Sequence, residues 1–172
     1  IVSHRAGKPR PNLSLCMVLQ SAGTSGAPMQ NILVADFSAA DQQGVLNVIL
    51  PIQQREFGIP ITEADQPDLT NIPGFYQSGT GGFWVARSNG AVVGTVGLKD
   101  IGPGQAALRK MFVAAPFRGR EFGVAEKLLG ALLAHARAKC VAEIFLGTTE
   151  RFLAAHRFYE KHSYVRHGPI GV

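Results

Sequence analysis

The sequence predicts an α/β (α+β) domain of about six strands and about four helices, and three observations carry that reading. Short apolar, strand-like runs are interleaved with stretches whose apolar residues recur at helical spacing. An Asn89-Gly90 pair between two such runs marks a tight β-hairpin. An apolar run at 111–114 passes through Pro116 into a basic, glycine-bearing turn that opens directly into an amphipathic helix.

The elements follow in order. Residues 32–34 form a short strand. Ser38 caps a helix running to about 57, with Val45, Leu46, Ile49, Ile52 and Gln53 on one stripe and Pro51 kinking or dividing it. A weaker helix spans 65–76, between Pro60 and Ser78-Gly79. Strands at 83–87 and 91–98 flank the Asn89-Gly90 turn, and a second turn at 101–104 leads into a strand at 106–113. The helix over 123–139 carries Val124, Leu128, Leu132 and His135 on one face, widened by Ala125, Leu129 and Leu133. A strand at 143–149, a helix at 152–162 and a strand at 164–167 complete the order. Trp84 reads as core, and His135 as a satisfied, partly buried histidine.

A chain of 172 residues is large enough for one good core. Residues 29–172 read as a single domain. Residues 1–28 read as a flexible N-terminal extension, and Met29 as a natural start. An apolar fraction of 46% with 17% charged residues is that of a soluble globular protein, and no run approaches the ~20 apolar residues of a membrane span. Cys16 and Cys140 make no C-x-x-C, so neither a disulfide framework nor a zinc site is expected. Cys140, at the end of an apolar helix, reads as a small buried hydrophobe, and the chain as reduced and cytoplasmic. The net charge is +5, and Arg109, Lys110, Arg118, Arg120 and Lys127 cluster in sequence around the basic turn. They suggest an anionic ligand. Nucleic acid is not expected, because the cations do not alternate with exposed aromatics and no recognition motif is present.

The chemistry concentrates in 108–129, LRKMFVAAPFRGREFGVAEKLL. A helix N-terminus reached through a turn presents unpaired N–H groups and partial positive charge, which suits phosphate. Neither G-x-x-x-x-G-K-[ST] nor a strand followed by G-x-G-x-x-G is present, which excludes two familiar phosphate loops. Instead Arg120-Glu121-Phe122-Gly123-Val124-Ala125 forms an R-x-x-G-x-A hexad followed by Leu128-Leu129. This resembles the acetyl-CoA loop of the GNAT acetyltransferase superfamily. Thr148-Thr149 and the segment at 152–161, FLAAHRFYEK, resemble that family's closing segment, so the resemblance covers about 30–167.

The resemblance implies a three-layer fold whose central sheet is mixed and strongly twisted. Its fourth and fifth strands are parallel but splayed, with acetyl-CoA in the gap. Main-chain groups of Met111 and Val113 would pair with the pantetheine arm. Amides across Arg118, Gly119, Arg120, Glu121, Phe122, Gly123, Val124 and Ala125 would cup the pyrophosphate, and Thr149 would offer a hydroxyl at the strand–helix junction. A backbone N–H near Met111 or Phe112 would steady the oxyanion, and Tyr159 would protonate the leaving thiolate. Many relatives place a Glu base where this chain has Ala107. Glu56 is the substitute candidate, with His156 behind it, and a base acting through water or no dedicated base stands equally open.

The expected activity is N-acetyl transfer from acetyl-CoA to a primary amine of a small molecule or peptide. A non-catalytic acyl-CoA-binding domain is the alternative, which Ala107 keeps alive, and a basic nucleic-acid module the third. The expected partners are acetyl-CoA and an amine acceptor, with no nucleic acid and no membrane. No metal is expected, since His162 and His167 make no ligand spacing with any Cys or Asp. Relatives often add a final strand that walls the acceptor pocket. Without it the site is more open, or a second copy covers the edge as a homodimer. The 58–68 loop holds Glu63, Asp65 and Asp68, which either attract a cationic amine or are solvated helix-start carboxylates.

Overall fold

Asn89 and Gly90 take φ values of 49° and 83°, the paired left-handed geometry of a two-residue hairpin. They fold strand β3 (Gly82–Ser88) onto β4 (Ala91–Gly102). The structure, a computed structural model, describes residues 2–5, 31–146 and 165–166. The other strands are β1 (Val2–Arg5), β2 (Ile32–Asp36), β5 (Gln105–Val113), β6 (Glu143–Leu146) and β7 (Val165–Arg166). They form one sheet in the order β2-β3-β4-β5-β6-β1-β7. Every pairing is antiparallel except β5 with β6. A parallel pair needs a crossover, and helix α4 (Val124–Ala138) supplies it.

The class is the expected mixed α/β arrangement of three layers. On one face α4 buries Val124, Leu128, Leu129 and Leu132 against Val96, Leu108, Ile144 and Leu146. On the other, helices α1 (Gln42–Pro51), α2 (Pro67–Thr70) and α3 (Ile72–Tyr76) enclose Val45, Ile49, Leu69, Ile72, Tyr76, Phe83 and Val85. The strand count exceeds the expected six because Val2–Arg5, within the segment read as an extension, pairs with both β6 and β7.

Several boundaries shift for identifiable reasons. The helix expected over 38–57 is a 3₁₀ turn (Ala39–Asp41), then α1, then a π-helical turn (Ile52–Glu56). Pro51 has no N–H to continue the α ladder, and Phe57 N–H closes the wider turn on Ile52 O at 3.1 Å. The helix expected over 65–76 splits at Asn71 (φ −138°). Pro73 cannot donate to Leu69 O, and the Gln42 amide donates to that carbonyl instead at 2.7 Å. Cys140 is exposed rather than buried. It adopts φ 56° just past α4, and Val141 N–H reaches Ala136 O at 2.9 Å, so the position is set by helix termination, where Gly is usual. Trp84 and His135 behave as read. Trp84 is buried, and His135 Nε2 lies 3.2 Å and 3.0 Å from the carbonyls of Thr80 and Gly81. The helix expected over 152–162 lies outside the described residues, as does Cys16.

Candidate active site

Strand β5 pairs regularly with β4 from Asp100↔Ala106 to Gly97↔Arg109, and the ladder then resumes at Thr95↔Phe112. Lys110 and Met111 therefore face a single residue, Val96: a β-bulge. Lys110 sits at φ 53°, uncommon for a residue with a side chain. Contacts on both its ends hold it there. Thr95 Oγ1 donates to Lys110 O at 2.7 Å, and Lys110 Nζ donates to Gln66 Oε1 at 2.5 Å and lies 3.4 Å from Asp68 Oδ2. Tyr76 O–H donates to the same carboxylate oxygen at 2.6 Å. Gln66 and Gln53 exchange amide bonds at 2.9 Å and 3.0 Å. This buried network ties the bulge to α2, α3 and the π turn. Burial pushes the Lys110 ammonium below the usual lysine range, against the pull of Asp68. Burial and the Asp68 carboxylate together push the Tyr76 phenol up.

On its other side β5 pairs in parallel with β6 from Gln105↔Glu143 to Leu108↔Leu146. Residues 109–113 run on beyond this register, toward the basic turn. Met111 and Val113 pack against the α4-face core, and Phe112 against the opposite one, with its ring centroid 6.5 Å from that of Phe57. The expected continuation of β6 and the closing helix, and with them Thr149, His156 and Tyr159, lie outside the described residues.

After β5 the chain makes a 3₁₀ turn (Ala115–Phe117) and reaches Arg118 in extended conformation. Arg118 Nε donates to Val113 O at 2.8 Å. Its fork grips Glu56 in two bonds, Nη1 to Oε2 at 2.8 Å and Nη2 to Oε1 at 2.9 Å. The structure thus brings together three residues nominated separately by sequence: Glu56, Val113 and Arg118. Gly119 then takes φ 122° and Gly123 φ 58°, both in the region where side chains are strained. A Cβ on Gly119 would stand 2.5 Å from Glu121 Oε2, so the Glu121 carboxylate lies over this glycine. Gly123 is the N-cap of α4, and its carbonyl accepts from Lys127 N–H at 3.0 Å. Phe117 and Phe122, ring centroids 5.7 Å apart, anchor the turn on the core. Amides at the head of α4 are thereby presented at a turn whose two left-handed positions are both glycine.

The cations adjacent in sequence separate in space. Lys127 Nζ donates to Ile32 O at 3.2 Å, Lys110 turns to Gln66 and Asp68, Arg118 to Glu56 and Val113, and Arg109 lies over Phe75. Arg120, exposed on the turn, makes no ion pair among the described residues. The acidic loop also has local duties. Asp65 accepts from Thr62 N–H and Oγ1 at 2.8 Å and 2.6 Å, which holds its carboxyl below the usual range, while Asp68 is buried in the Lys110 network. Sequence reasoning nominated neither Tyr76 nor Gln66. The bulge does shift the alternation, from Ala106 and Leu108 to Met111 and Val113 on one face, but that shift says nothing of which helix residues meet Lys110.

Comparison with known proteins agrees with this geometry. Residues 46–164 match the family model described as acetyltransferase (GNAT) family. The chain is 35% identical over 103 residues to N-acetylaspartate synthetase of Danio rerio, covering 59% of this chain and 36% of that protein. It is 33% identical over 96 residues to N-acetyltransferase 8B of Rattus norvegicus, covering 54% and 43%. It therefore spans less than half the length of these relatives. A crystal structure of an acetyltransferase of the GNAT family from Staphylococcus aureus MU50 superposes with a TM-score of 0.71 at 34% identity, over 76% of this chain and 81% of that one. A family match across most of the described domain, together with this bulged strand and glycine-bearing turn, makes the chain a member of the GNAT acetyltransferase family.

Proposed function

We propose that the chain is an N-acetyltransferase that moves an acetyl group from acetyl-CoA to a primary amine of a small molecule or peptide. One observation carries the reading: β5 leads through Gly119 and Gly123, both left-handed, into the N-terminus of the fifteen-residue helix α4, a geometry suited to a diphosphate. Family membership supports acetyl transfer as the chemistry. A cytoplasmic setting, in keeping with only two cysteines and no disulfide framework in the sequence, belongs to the same proposal. Among the described residues no helix is long and apolar enough to cross a membrane.

In this reading the diphosphate rests on the amides of the 118–125 turn, two of which, Arg118 N–H and Gly123 N–H, also donate to Ala115 O and Gly119 O, each at 3.3 Å, and the pantetheine arm runs along β5 near Met111 and Val113. The amine nitrogen attacks the thioester carbonyl carbon, forming the C–N bond. A backbone N–H of β5 near Met111 or Phe112 steadies the oxyanion. The C–S bond then breaks, sulfur takes a proton from Tyr159, and the nitrogen gives up one proton. Both oxygens of Glu56 accept from Arg118, which sets the orientation of that carboxylate, and the reading assigns proton removal to water. Thr149 and His156 are proposed on the cofactor side.

Calorimetric titration with acetyl-CoA, followed by free-thiol release against a panel of amines, tests the proposal. Binding with release is expected. Binding without release on any amine would favour a non-catalytic acyl-CoA-binding domain, the reading that Ala107 keeps open. Tyr159→Phe is expected to lower turnover far more than acetyl-CoA affinity, and equal turnover in that variant removes the proton-donor assignment.

A further inference from the structure

Two cations share one aromatic ring on the sheet face that carries α3. Lys99 Nζ lies 4.7 Å from the Phe75 ring centroid and donates to Phe75 O at 2.9 Å. Arg109 Cζ lies 5.8 Å from the same centroid. The strand register gathers them. Lys99 pairs with Ala107 and Gly97 with Arg109, and residues two apart share a face. Ala107 thus sits between the two cations. A carboxylate at this position would neutralise them, whereas the methyl group of Ala107 does not.

Nearby acids are committed elsewhere. Asp68 serves Tyr76 and Lys110. Asp100, beside Lys99 and influenced by its charge, accepts from Thr80 N–H and Gly102 N–H, each at 3.0 Å. Glu143 accepts from Gln105 Nε2 at 2.9 Å. Among the described residues neither Lys99 nor Arg109 has a carboxylate within ion-pair distance. Arg109 is exposed on the strand just before the bulge, and its contact with Phe75 orients it over the ring while leaving its N–H donors available. This surface is separate from the turn at the head of α4, because Phe75 and its neighbours pack on the opposite face of the sheet from that helix.

From this juxtaposition we infer that the acceptor amine carries a carboxylate, which Arg109 and Lys99 bind beside Phe75 at the position opened by Ala107. The inference rests on the acetyl-transfer reading and adds the charge of the acceptor. Planar guanidinium and carboxylate form two parallel charge-assisted bonds. The acidic loop does not argue for a cationic partner instead, since Asp65 and Asp68 are both engaged within the protein.

The test uses the full chain with acetyl-CoA and matched acceptors: a panel of α-amino acids and their α-carboxamides, compared at equal concentrations of unprotonated amine. The acids are expected to exceed the amides in kcat/KM by about tenfold or more, through KM. Arg109→Gln should abolish that preference while leaving KM for acetyl-CoA and turnover of the amides near the parent values. Ala107→Glu should reverse it by occupying the cations. Equal use of acid and amide by the parent overturns the inference, as does an Arg109→Gln effect confined to acetyl-CoA, which would assign the cation to a phosphate of the donor. Should no amine be acetylated, the transfer reading fails. Equilibrium binding in the presence of coenzyme A then decides the inference separately: tighter binding of the acids, lost in Arg109→Gln, upholds it, and indifference to the carboxylate ends it.

Discussion

Glu56 and Arg118, sixty-two residues apart, form a two-bond ion pair, and the remaining guanidinium nitrogen of the same arginine holds Val113 O. One side chain therefore joins the π turn after α1, the end of β5 and the entrance to the glycine turn. Both partners are substantially exposed, at 43% and 37%, so the pair adds little stability and acts mainly on geometry. Glu56→Gln is expected to cost no more than about 1 kcal/mol in urea unfolding. It should leave the pH profile of kcat unchanged and raise KM for acetyl-CoA as Arg118 loosens. A fall in kcat of about a hundredfold or more with loss of the acidic limb would instead make Glu56 the base.

Glu121 is the only carboxylate between Arg118 and Ala125, and it lies over Gly119. A diphosphate at this turn would meet that negative charge. Glu121→Gln is expected to tighten acetyl-CoA binding by about threefold to tenfold at low ionic strength, less as salt screens the charge. Calorimetry at two salt concentrations checks it; affinity unchanged at both would place the diphosphate away from this turn.

Asp68 compensates a buried ammonium and accepts from a buried phenol. Removing its charge leaves Lys110 uncompensated, so Asp68→Asn is expected to destabilise by about 3–5 kcal/mol. Tyr76→Phe, which deletes one hydrogen bond and leaves the carboxylate, should cost about 1–3 kcal/mol. Equilibrium urea unfolding measures both, and a smaller loss for Asp68→Asn than for Tyr76→Phe would contradict the network as described.

Asp41 is buried, which opposes its ionisation. Two bonds from Arg87, at 2.9 Å and 2.6 Å, and two from Ser38 outweigh that cost and hold its carboxyl below the usual aspartate range. A carboxyl whose folded pKa is depressed binds its proton more readily in the unfolded chain. Its stabilisation is fully present above the unfolded value of about 3.9 and is lost as pH falls through the lower folded value. Asp41→Asn is expected to lower stability at neutral pH by about 1–3 kcal/mol and to flatten the acid limb. Unfolding curves from about pH 2 to about pH 7 would show this. An unchanged acid limb would assign it to the other depressed carboxyls, Asp65 and Asp100.

What short-range chemistry dictates is legible along the chain. Asn89-Gly90 specified its hairpin, the stripe from Val124 to Leu132 specified the buried face of α4, and Gly123 marked the head of that helix. Each depends on residues within a few positions of one another, where spacing and backbone preference are readable. Tertiary structure alone decided the bulge at Lys110, the burial of Asp68 and Tyr76 around its ammonium, the pairing of Glu56 with Arg118, and the two cations beside Phe75. These depend on strand register and on which helix covers which face, and a one-residue slip would send each side chain to the other face of the sheet. The separation of Lys110, Arg118 and Lys127, neighbours in sequence yet turned to three different partners, has the same cause. A strand and a helix point successive side chains in different directions, so charge that is clustered along the chain is dispersed once the elements pack.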